Sequence, residues 1–362
     1  MGGVERGTID IVKTLVDHNC NSIVASSGGP LVKQVLSAGG AHIKLKMATK
    51  NPWTIWRNSK ALVEIIKENK VDIVHARSRA PGWSSYLAAK ETDARFITTF
   101  HGIYNFSTEV KKYYNSVMTK GQRVIAVSNF VKDHLMEHYN TPEEVIRVIH
   151  RGVDYNYFNA SNFTSECREK FREKYRIPSD VPVLLLPARM TQWKGQTVLV
   201  DALSLLQDQD FYCIIAGDVS KHPNFTKRLQ SKILERRLQS KVQIFGAEAD
   251  MMGLYGVADI VLSTSIEPEA FGRVVVEAQS MEKLVIATNI GGAGETIVDG
   301  VSGYHVQPQN PGALAEKIRY ALNILGSVDA LKITTEARNS VITQFSLDSM
   351  LSKTLDVYRE LL

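Results

Sequence analysis

Two glutamates eight residues apart, Glu269 and Glu277, stand where a predicted loop gives way to a predicted helix. The apolar run before them is typical of a buried strand, and the apolar spacing after Gly272 indicates a helix. Pro268 and Gly272 place the start of that helix between the two acids. Glu269 then lies on the loop at the start of the helix, and Glu277 lies about a turn and a half further on, roughly 8 Å along the axis at 1.5 Å per residue. Because a helix N-terminus offers unpaired N–H donors, the stretch predicts a pyrophosphate site, although two solvated carboxylates would show the same spacing.

The residues around these acids favour the pyrophosphate interpretation. Phe271 and Gly272 lie between them, and the turn Gly291-Gly292-Ala-Gly-Glu295 follows the next predicted strand. With these features the chain resembles the retaining GT-B glycosyltransferases of family 4, also described as the group 1 type. The resemblance implies that Glu277 binds the ribose hydroxyls of a nucleotide-sugar donor. It implies that Glu269 binds a donor-sugar hydroxyl or faces the reacting carbon.

The remaining donor contacts predicted from the resemblance come from the backbone. Four of these residues lie between the two acids or in the turn after the next predicted strand, and the fifth lies where another predicted strand ends, at the same edge of the sheet: Phe271, Gly272, Gly291, Gly292 and Gly217. Glycine allows close approach of the backbone to a ligand, although glycines at strand ends are often simple turn formers.

Two cations in the second half of the chain are suited to the leaving group of such a donor. The diphosphate gains negative charge in the transition state, and that charge must be neutralised. Arg189 and Lys194 follow a predicted strand, and they resemble the family's cationic pair on the donor diphosphate. Two solvated loop residues are the alternative interpretation. No Asp-x-Asp motif stands at the end of a predicted strand, so we expect no metal ion and no cofactor besides the co-substrate.

His101 is the candidate catalytic residue of the first half of the chain. It ends a predicted strand in the run Thr99-Phe-His-Gly102, where a lone histidine is often structural. The resemblance matches it to the family histidine that faces the donor sugar across the cleft. This implies that His101 orients the donor and stabilises the developing oxocarbenium ion. Retention then implies attack from the same face, unlike the two-carboxylate scheme of glycoside hydrolysis.

The acceptor side is predicted from two further stretches. Arg77 and Arg79 follow a predicted strand and resemble a run in bacterial transferases of the lipopolysaccharide core, which implies an anionic glycan or glycolipid acceptor. A structural salt bridge would explain the two arginines equally well. Gly2 and Gly3 open a stretch that resembles the family's glycine-rich loop between the first strand and the first helix. No strand is predicted before Gly2, although the family places its central strand there.

Charge and composition restrict the class of protein and its partners. The chain has 362 residues, of which 44% are hydrophobic and 22% charged, as in ordinary globular proteins. Residues 1–160 carry 21 basic and 14 acidic residues. This excess suggests an anionic acceptor, a membrane surface or nucleic acid, or only a solvated basic surface. The absence of any recognisable RNA- or DNA-binding motif argues against nucleic acid.

The same features bear on location. Three scattered cysteines, no apolar run of membrane-spanning length and no signal-peptide pattern favour the cytoplasm, with peripheral contact at the inner membrane.

Strands and helices alternate along the whole chain in the predicted pattern, which is typical of α/β proteins with parallel, doubly wound sheets. We therefore predict two Rossmann-like domains of the GT-B class facing a central cleft. The predicted bounds are 1–155 for the acceptor-side domain and 156–345 for the nucleotide-sugar domain, with a terminal helix, 346–362, packing back on the first domain.

These observations predict a retaining hexosyltransferase that uses a nucleotide diphosphate sugar of mannose or glucose type. Its acceptor would be a glycan or glycolipid hydroxyl, with the lipopolysaccharide core as one candidate. A protein of the same fold that binds nucleotide sugar with impaired catalysis is the alternative, because the predicted first domain lacks its first strand.

Overall fold

A computed structural model describes residues 3–104 and 106–362 of the chain. They form two compact units. The first contains residues up to His150 together with Met350–Leu362, and the second contains Arg151–Ser349. Among the described residues, no helix has both the length and the apolar character needed to cross a bilayer.

The first unit alternates helices and short parallel strands. Its helices before the second unit are α1 (Gly3–Asp17), α2 (Val32–Ser37), α3 (Pro52–Glu68), α4 (Arg79–Lys90), α5 (Glu109–Asn115) and α6 (Asn129–Tyr139). Its strands are β1 (Ile23–Ser26), β2 (Ala41–Lys44), β3 (Ile73–Ala76), β4 (Arg95–Phe100), β5 (Arg123–Ala126) and β6 (Ile146–Val148).

Helix starts in this unit follow local capping chemistry. The Asn51 side chain accepts a hydrogen bond from the Thr54 N–H, and Pro52 occupies the first helical position of α3. Ser128 accepts from the Val131 N–H in the same way at the start of α6. The sequence therefore places these two helix boundaries without help from distant parts of the chain.

The second unit has the same alternation. Its strands are β7 (Val183–Pro187), β8 (Tyr212–Ala216), β9 (Val242–Phe245), β10 (Ile260–Ser263), β11 (Leu284–Thr288) and β12 (Tyr304–Val306). Its helices are α7 (Ser165–Lys174), α8 (Gln196–Leu203), α9 (Pro223–Glu235), α10 (Met251–Val257), α11 (Arg273–Ser280), α12 (Pro311–Ile324) and α13 (Val328–Gln344). The last helix of the chain is α14 (Leu347–Arg359), and the boundary between the units falls within it.

The second unit contains one six-stranded parallel sheet in the order β12-β11-β10-β7-β8-β9. Counted from its own first strand, this is the doubly wound order 3-2-1-4-5-6 read from the opposite edge. Strands β7, β8, β10 and β11 are buried along their whole length, because helices cover both faces of a parallel sheet. The predicted fold class, α/β with Rossmann-like parallel sheets, is confirmed.

The sheet of the first unit is divided. Strands β1 and β2 form a two-stranded sheet, and β3, β4, β5 and β6 form a separate four-stranded sheet in that order. If the doubly wound order of the second unit is applied, the missing position is the central strand between β1 and β3. Among residues 3–104 and 106–362 no strand fills that position.

The prediction of a glycine-rich loop at residues 2–7 is wrong for residues 3–7, which the structure describes. Helix α1 begins at Gly3, so residues 3–7 are helical, and Gly2 lies outside the described residues. Glu5 lies in the first turn, where a carboxylate is favourable next to the helix N-terminus. The Thr8 hydroxyl donates to the Val4 carbonyl one turn earlier at 3.0 Å. Glycine near a helix start is thus no evidence for a loop.

The end of the chain completes the core of the first unit. Apolar residues of α14 pack with α1, with β4 and β5 and with the residue that follows β6: Leu355, Val357, Tyr358, Ile11, Ile97, Ile125 and Ile149. The Glu360 carboxylate accepts from Arg123 and Arg147, both at 2.7 Å. The last residues therefore contribute both apolar and ionic contacts to the unit in which the chain begins.

We expect Leu355→Ala to destabilise the first unit by about 2–5 kcal/mol, because it removes a buried side chain from this core. Leu355 is 8% exposed, whereas Leu362, the matched control, is 78% exposed. Leu362→Ala should change the free energy of unfolding by no more than about 0.5 kcal/mol. Urea unfolding followed by circular dichroism measures both effects, and equal midpoints for the two variants would contradict the packing described.

Candidate active site

A buried ion pair joins two of the predicted site residues. The Lys194 ammonium lies 2.6 Å from Oε1 of Glu269, and the two side chains are only 12% and 15% exposed. The Ser265 hydroxyl donates a short hydrogen bond to the same oxygen. Burial lowers the pKa of Lys194 below its usual value, while the charge of Glu269 acts to raise it. The structure thus brings the predicted cation and the predicted acid together.

The backbone around Lys194 is fixed by contacts to the loop after β10. Gly195 has a φ of +72°, and a Cβ placed there would lie 1.8 Å from the carbonyl oxygen of Thr264. The Thr264 hydroxyl donates to the Lys194 carbonyl at 3.1 Å, and the Ile266 N–H donates to the Trp193 carbonyl at 2.8 Å. Only glycine combines this left-handed conformation with this close approach. The position of the ammonium is therefore set by the backbone of two loops.

A third loop holds Glu269 from the other side. Glu269 and Gly291 form an isolated parallel bridge, and the Gly292 N–H donates to the Glu269 carbonyl at 2.7 Å. Gly291 has a φ of +64°, and a Cβ there would lie 2.5 Å from the same carbonyl oxygen. The two glycines predicted to approach a sugar thus have a demonstrable second role, which is to let the backbone close against Glu269.

Helix α11 begins between the two acids, as the sequence predicts. Gly272 precedes it in the left-handed conformation, at φ +83°, and a Cβ there would lie 2.8 Å from the Ala293 side chain. Phe271 is 3% exposed, with its ring 5.8 Å from the ring of Phe345. The Phe271 side chain is therefore part of the core, and only its backbone remains a candidate for donor contacts.

Glu277 lies within α11 and has its own set of partners. It is 6% exposed, and its carboxylate accepts from the Tyr255 hydroxyl at 2.9 Å and from the Arg273 guanidinium at 2.6 Å. Burial raises the pKa of Tyr255 well above its usual value, and the charge of Glu277 adds to this effect. Each carboxylate oxygen can accept two hydrogen bonds, so Glu277 retains acceptor capacity for a hydroxyl group.

Arg189 lies on the loop that carries Lys194, and Gly217 packs against the start of that loop at Ala188. The Arg189 guanidinium is 5.3 Å and the Lys194 ammonium 4.3 Å from the ring of Trp193, so both cations border one indole. Arg189 is exposed, while its carbonyl accepts from the Gln196 side chain at 2.7 Å. A Cβ at Gly217 would lie 2.0 Å from the Ala188 carbonyl oxygen. Close packing between strand ends is enough to explain this glycine.

In the first unit, His101 and Arg79 share a neighbour. His101 follows β4, and its backbone contacts the Tyr104 hydroxyl. The Arg79 guanidinium lies 4.0 Å from the centre of the Tyr104 ring and donates to the Asn115 side chain at 2.8 Å. Burial raises the pKa of Tyr104 to about 12, so the hydroxyl stays protonated at neutral pH. One tyrosine therefore links the predicted histidine to one of the predicted arginines.

Arg77 has different surroundings from Arg79. Arg77 interacts electrostatically with His75, Tyr358 and Asp10, and burial lowers the pKa of its guanidinium. His75 bridges Thr99 and Tyr358, with both ring nitrogens 2.7 Å from a hydroxyl. The separation arises because β3 ends at Ala76 and α4 begins at Arg79, so the chain turns between the two arginines.

Sequence reasoning missed three side chains that fix the acids. Arg273 lies four residues before Glu277 on the same helix, a spacing that places side chains in contact, and this was a usable signal. Ser265 lies four residues before Glu269 in a loop, where that spacing predicts no contact. Tyr255 gave no signal, because it lies 22 residues from Glu277 on a different helix.

Two families match the sequence over most of its length. Residues 1–157 match the family described as Glycosyltransferase Family 4, and residues 167–337 match the family described as Glycosyl transferases group 1. The fold is similar to that of a crystal structure of a glycosyltransferase from Rickettsia africae ESF-5, with a TM-score of 0.94 and 55% sequence identity. That comparison covers 100% of this chain and 95% of the other.

Two curated relatives are more distant. The uncharacterized glycosyltransferase MJ1607 of Methanocaldococcus jannaschii is 28% identical over 240 residues, which is 66% of this chain and 60% of that protein. This chain thus matches less than two thirds of that relative. The phosphatidylinositol N-acetylglucosaminyltransferase GPI3 subunit of Saccharomyces cerevisiae strain YJM789 is 27% identical over 316 residues, covering 84% of this chain and 67% of the subunit.

We expect Gly195→Ala to lower the melting temperature more than Gly300→Ala does. Both glycines have similar left-handed φ values, +72° and +75°, so the strain of about 1–2 kcal/mol is common to both variants. Only at Gly195 does the new Cβ collide with backbone, since nothing lies within 4 Å of a Cβ at Gly300. Differential scanning calorimetry of the two variants measures the difference, and equal melting temperatures would show that the Thr264 contact is not as close as described.

Proposed function

The chain belongs to the group 1 glycosyltransferases of family 4, with the GT-B class of fold, and on that basis we propose that it transfers a hexose from a nucleotide diphosphate sugar to a hydroxyl of a glycan or glycolipid. The observation that supports this proposal most directly is the buried pair of Lys194 and Glu269 next to the N-terminus of α11. A lysine ammonium has three N–H donors, and this pair uses one of them. The other donors are suited to phosphate oxygens.

In the proposed donor site, the charges have separate tasks. Lys194 and Arg189 neutralise the charge that develops on the diphosphate as it leaves. Lys194 is fixed and largely buried, and such a cation does this better than a solvated one. Glu277 accepts from the ribose hydroxyls with its remaining lone pairs. Glu269 fixes the ammonium of Lys194 and contacts the donor sugar. Backbone N–H groups at the start of α11 add partial positive charge.

The proposed reaction retains the anomeric configuration. The bond between the anomeric carbon and the phosphate oxygen breaks, and its electron pair stays on the diphosphate. The acceptor oxygen forms the new bond on the same face, and its proton moves to the departing phosphate oxygen. We assign to His101 the orientation of the donor sugar and stabilisation of the positive charge on the ring.

The proposed acceptor is a sugar on a lipid, of which the lipopolysaccharide core is one candidate. The name of the yeast relative, a phosphatidylinositol N-acetylglucosaminyltransferase subunit, supports a lipid-linked acceptor. Arg77 is a candidate contact for an anionic group of that acceptor, and Arg79 is a less available one because Asn115 and Tyr104 already engage it. A cytoplasmic location remains part of this proposal.

We expect Lys194→Ala and Glu277→Gln each to lower kcat for sugar transfer by on the order of 10²–10³-fold. The melting temperature of Glu277→Gln should remain within a few degrees of wild type, because Gln keeps the shape of Glu277 and its contact with Tyr255. Lys194→Ala should melt lower, because it leaves the buried carboxylate of Glu269 without its cation, so its kcat is measured at a temperature at which the variant is folded. The donor for the assay is the nucleotide sugar that raises the melting temperature most, since the tightest ligand stabilises most. Transfer of radiolabelled sugar measures turnover.

Lys170→Ala is the matched control, because Lys170 is also paired with a glutamate but its side chain is 70% exposed. It should retain full activity. Unchanged turnover in both site variants would contradict the donor-site assignment. Donor binding by the wild type without transfer or donor hydrolysis above background would instead support the alternative of an impaired nucleotide-sugar-binding protein.

We expect the product to keep the anomeric configuration of the donor, because both the leaving group and the acceptor would occupy the same face of the sugar. The measurement is the coupling constant of the anomeric proton in the NMR spectrum of the first product formed. A product of inverted configuration would contradict same-face attack while leaving the transferase assignment intact.

A further inference from the structure

Arg338, on α13, is a largely buried arginine whose side chain contacts two other segments of the second unit. Its guanidinium donates to the carbonyl of Ser280, to that of Phe158 at 3.3 Å and to that of Tyr155 at 3.4 Å. The side chain is 15% exposed, and its ion-pair partner Glu282 is 3.6 Å away and 46% exposed. Arg338 therefore binds mainly to the backbone of other segments.

One of these carbonyls ends the helix that carries Glu277. Ser280 is the last residue of α11, and a carbonyl at this position has no partner within the helix. Arg338 supplies the missing donor, and its positive charge is favourable next to a helix C-terminus. The Ser280 hydroxyl donates to the Phe158 carbonyl at 2.6 Å. The end of α11 is thus connected to Phe158 twice, through Arg338 and directly.

The other two carbonyls belong to residues 152–158, which we call the entry segment because they lie just after the boundary between the two units. Near the start of this segment, Val153 forms a parallel bridge with Ser346, and its N–H donates to the Phe345 carbonyl at 2.9 Å. Arg338 holds the other end. The entry segment is therefore fixed at both ends by residues that come late in the chain.

A side chain of the entry segment reaches the tyrosine that binds Glu277. Phe158 is 7% exposed, and its ring lies 5.9 Å from the ring of Tyr255 at an angle of 69°. The Tyr255 hydroxyl donates to the carboxylate of Glu277 at 2.9 Å. Because close-packed side chains transmit strain, a displacement of Phe158 would disturb the group that orients this carboxylate.

We propose that Arg338 is a positioning residue for the donor site, which acts through the entry segment and α11 on the carboxylate of Glu277. The inference rests on the proposed function, in which Glu277 binds the ribose of the donor. Arg338 holds the C-terminus of α11 and keeps Phe158 against Tyr255, so the carboxylate is oriented before a nucleotide binds. A site ordered in advance binds more tightly. Coupling is reciprocal, so a bound nucleotide also holds the entry segment more firmly.

The test is hydrogen exchange of the full-length protein, measured by mass spectrometry with and without a nucleoside diphosphate. The probe is whichever of UDP and GDP raises the melting temperature more, since the tighter ligand stabilises more. In the wild type we expect the probe to slow exchange in peptides that cover α11 and in peptides that cover the entry segment. The N–H groups of Val153 and Phe158 report on that segment, because both are hydrogen-bonded.

Arg338→Met nearly keeps the length of the side chain and removes all of its donors. We expect it to bind the probe on the order of tenfold more weakly in titration calorimetry, and to lose the protection of the entry segment at saturating probe. Arg338→Lys should recover part of both, because an ammonium still donates but lacks the planar fork. If Arg338 only stabilised the fold, the variants would melt lower with unchanged affinity and unchanged protection.

A second variant and a matched control complete the experiment. Ser280→Ala removes only the hydroxyl that donates to Phe158, so it should stay folded and lose part of the protection even if Arg338→Met does not fold. Arg319→Met is the control, because Arg319 also pairs with an acid and donates to a backbone carbonyl, that of Leu205 at 3.3 Å. Both partners of Arg319 lie outside α11 and the entry segment, so this variant should behave like the wild type.

The outcomes separate this inference from the donor site itself. A wild-type protein that binds neither nucleotide would overturn the donor site and this inference with it. Binding that leaves exchange in the entry segment unchanged, or full affinity and protection in both Arg338→Met and Ser280→Ala, would overturn this inference alone. Equal losses in Arg319→Met would also overturn it, because the effect would not be specific to Arg338.

Discussion

The candidate active site depends on the ion pair between Lys194 and Glu269. Removing water from either charge alone would be costly, so the lysine and the glutamate have to be buried together and held in a fixed geometry. The geometry is supplied mainly by backbone contacts, together with the hydroxyls of Ser265 and Thr264. Gly195 allows one loop to touch Thr264, and Gly291 allows another to close on Glu269. Three separate segments of the chain thus meet at one pair of charges.

The acids of this site position cations. Glu269 holds the ammonium of Lys194, and Glu277 holds the guanidinium of Arg273. A lysine or arginine fixed in this way loses little conformational freedom when an anion binds, so more of the electrostatic attraction remains available. The same arrangement keeps the site from being strongly positive when it is empty. A spacing of two glutamates in the sequence is therefore a signal about the cations beside them as well.

The fold class was predictable from the sequence because apolar runs alternate with helical periodicity throughout the chain. The start of α11 was predictable because Pro268 and Gly272 are local signals. The helical state of residues 3–7 was not predictable, since glycines close to the start of a helix look like a loop when only the sequence is considered. The different surroundings of Arg77 and Arg79 were not predictable from their spacing, because the chain turns between them. Contacts such as that of Gly195 with Thr264, 69 positions later, depend on the order of the strands in the sheet and give no signal in the local sequence.

The position of α14 near the end of the sequence determines when the core of the first unit can be completed during synthesis. Leu355, Val357 and Tyr358 leave the ribosome after the whole second unit, yet they cover Ile11 and Ile97 of the first. The roughly 200 residues made in between take on the order of 10–40 s at about 5–20 residues per second. The second unit can finish within that time, while the nascent first unit has to wait with its apolar surface open. A chaperone that binds exposed apolar surface would act on the first unit during this interval.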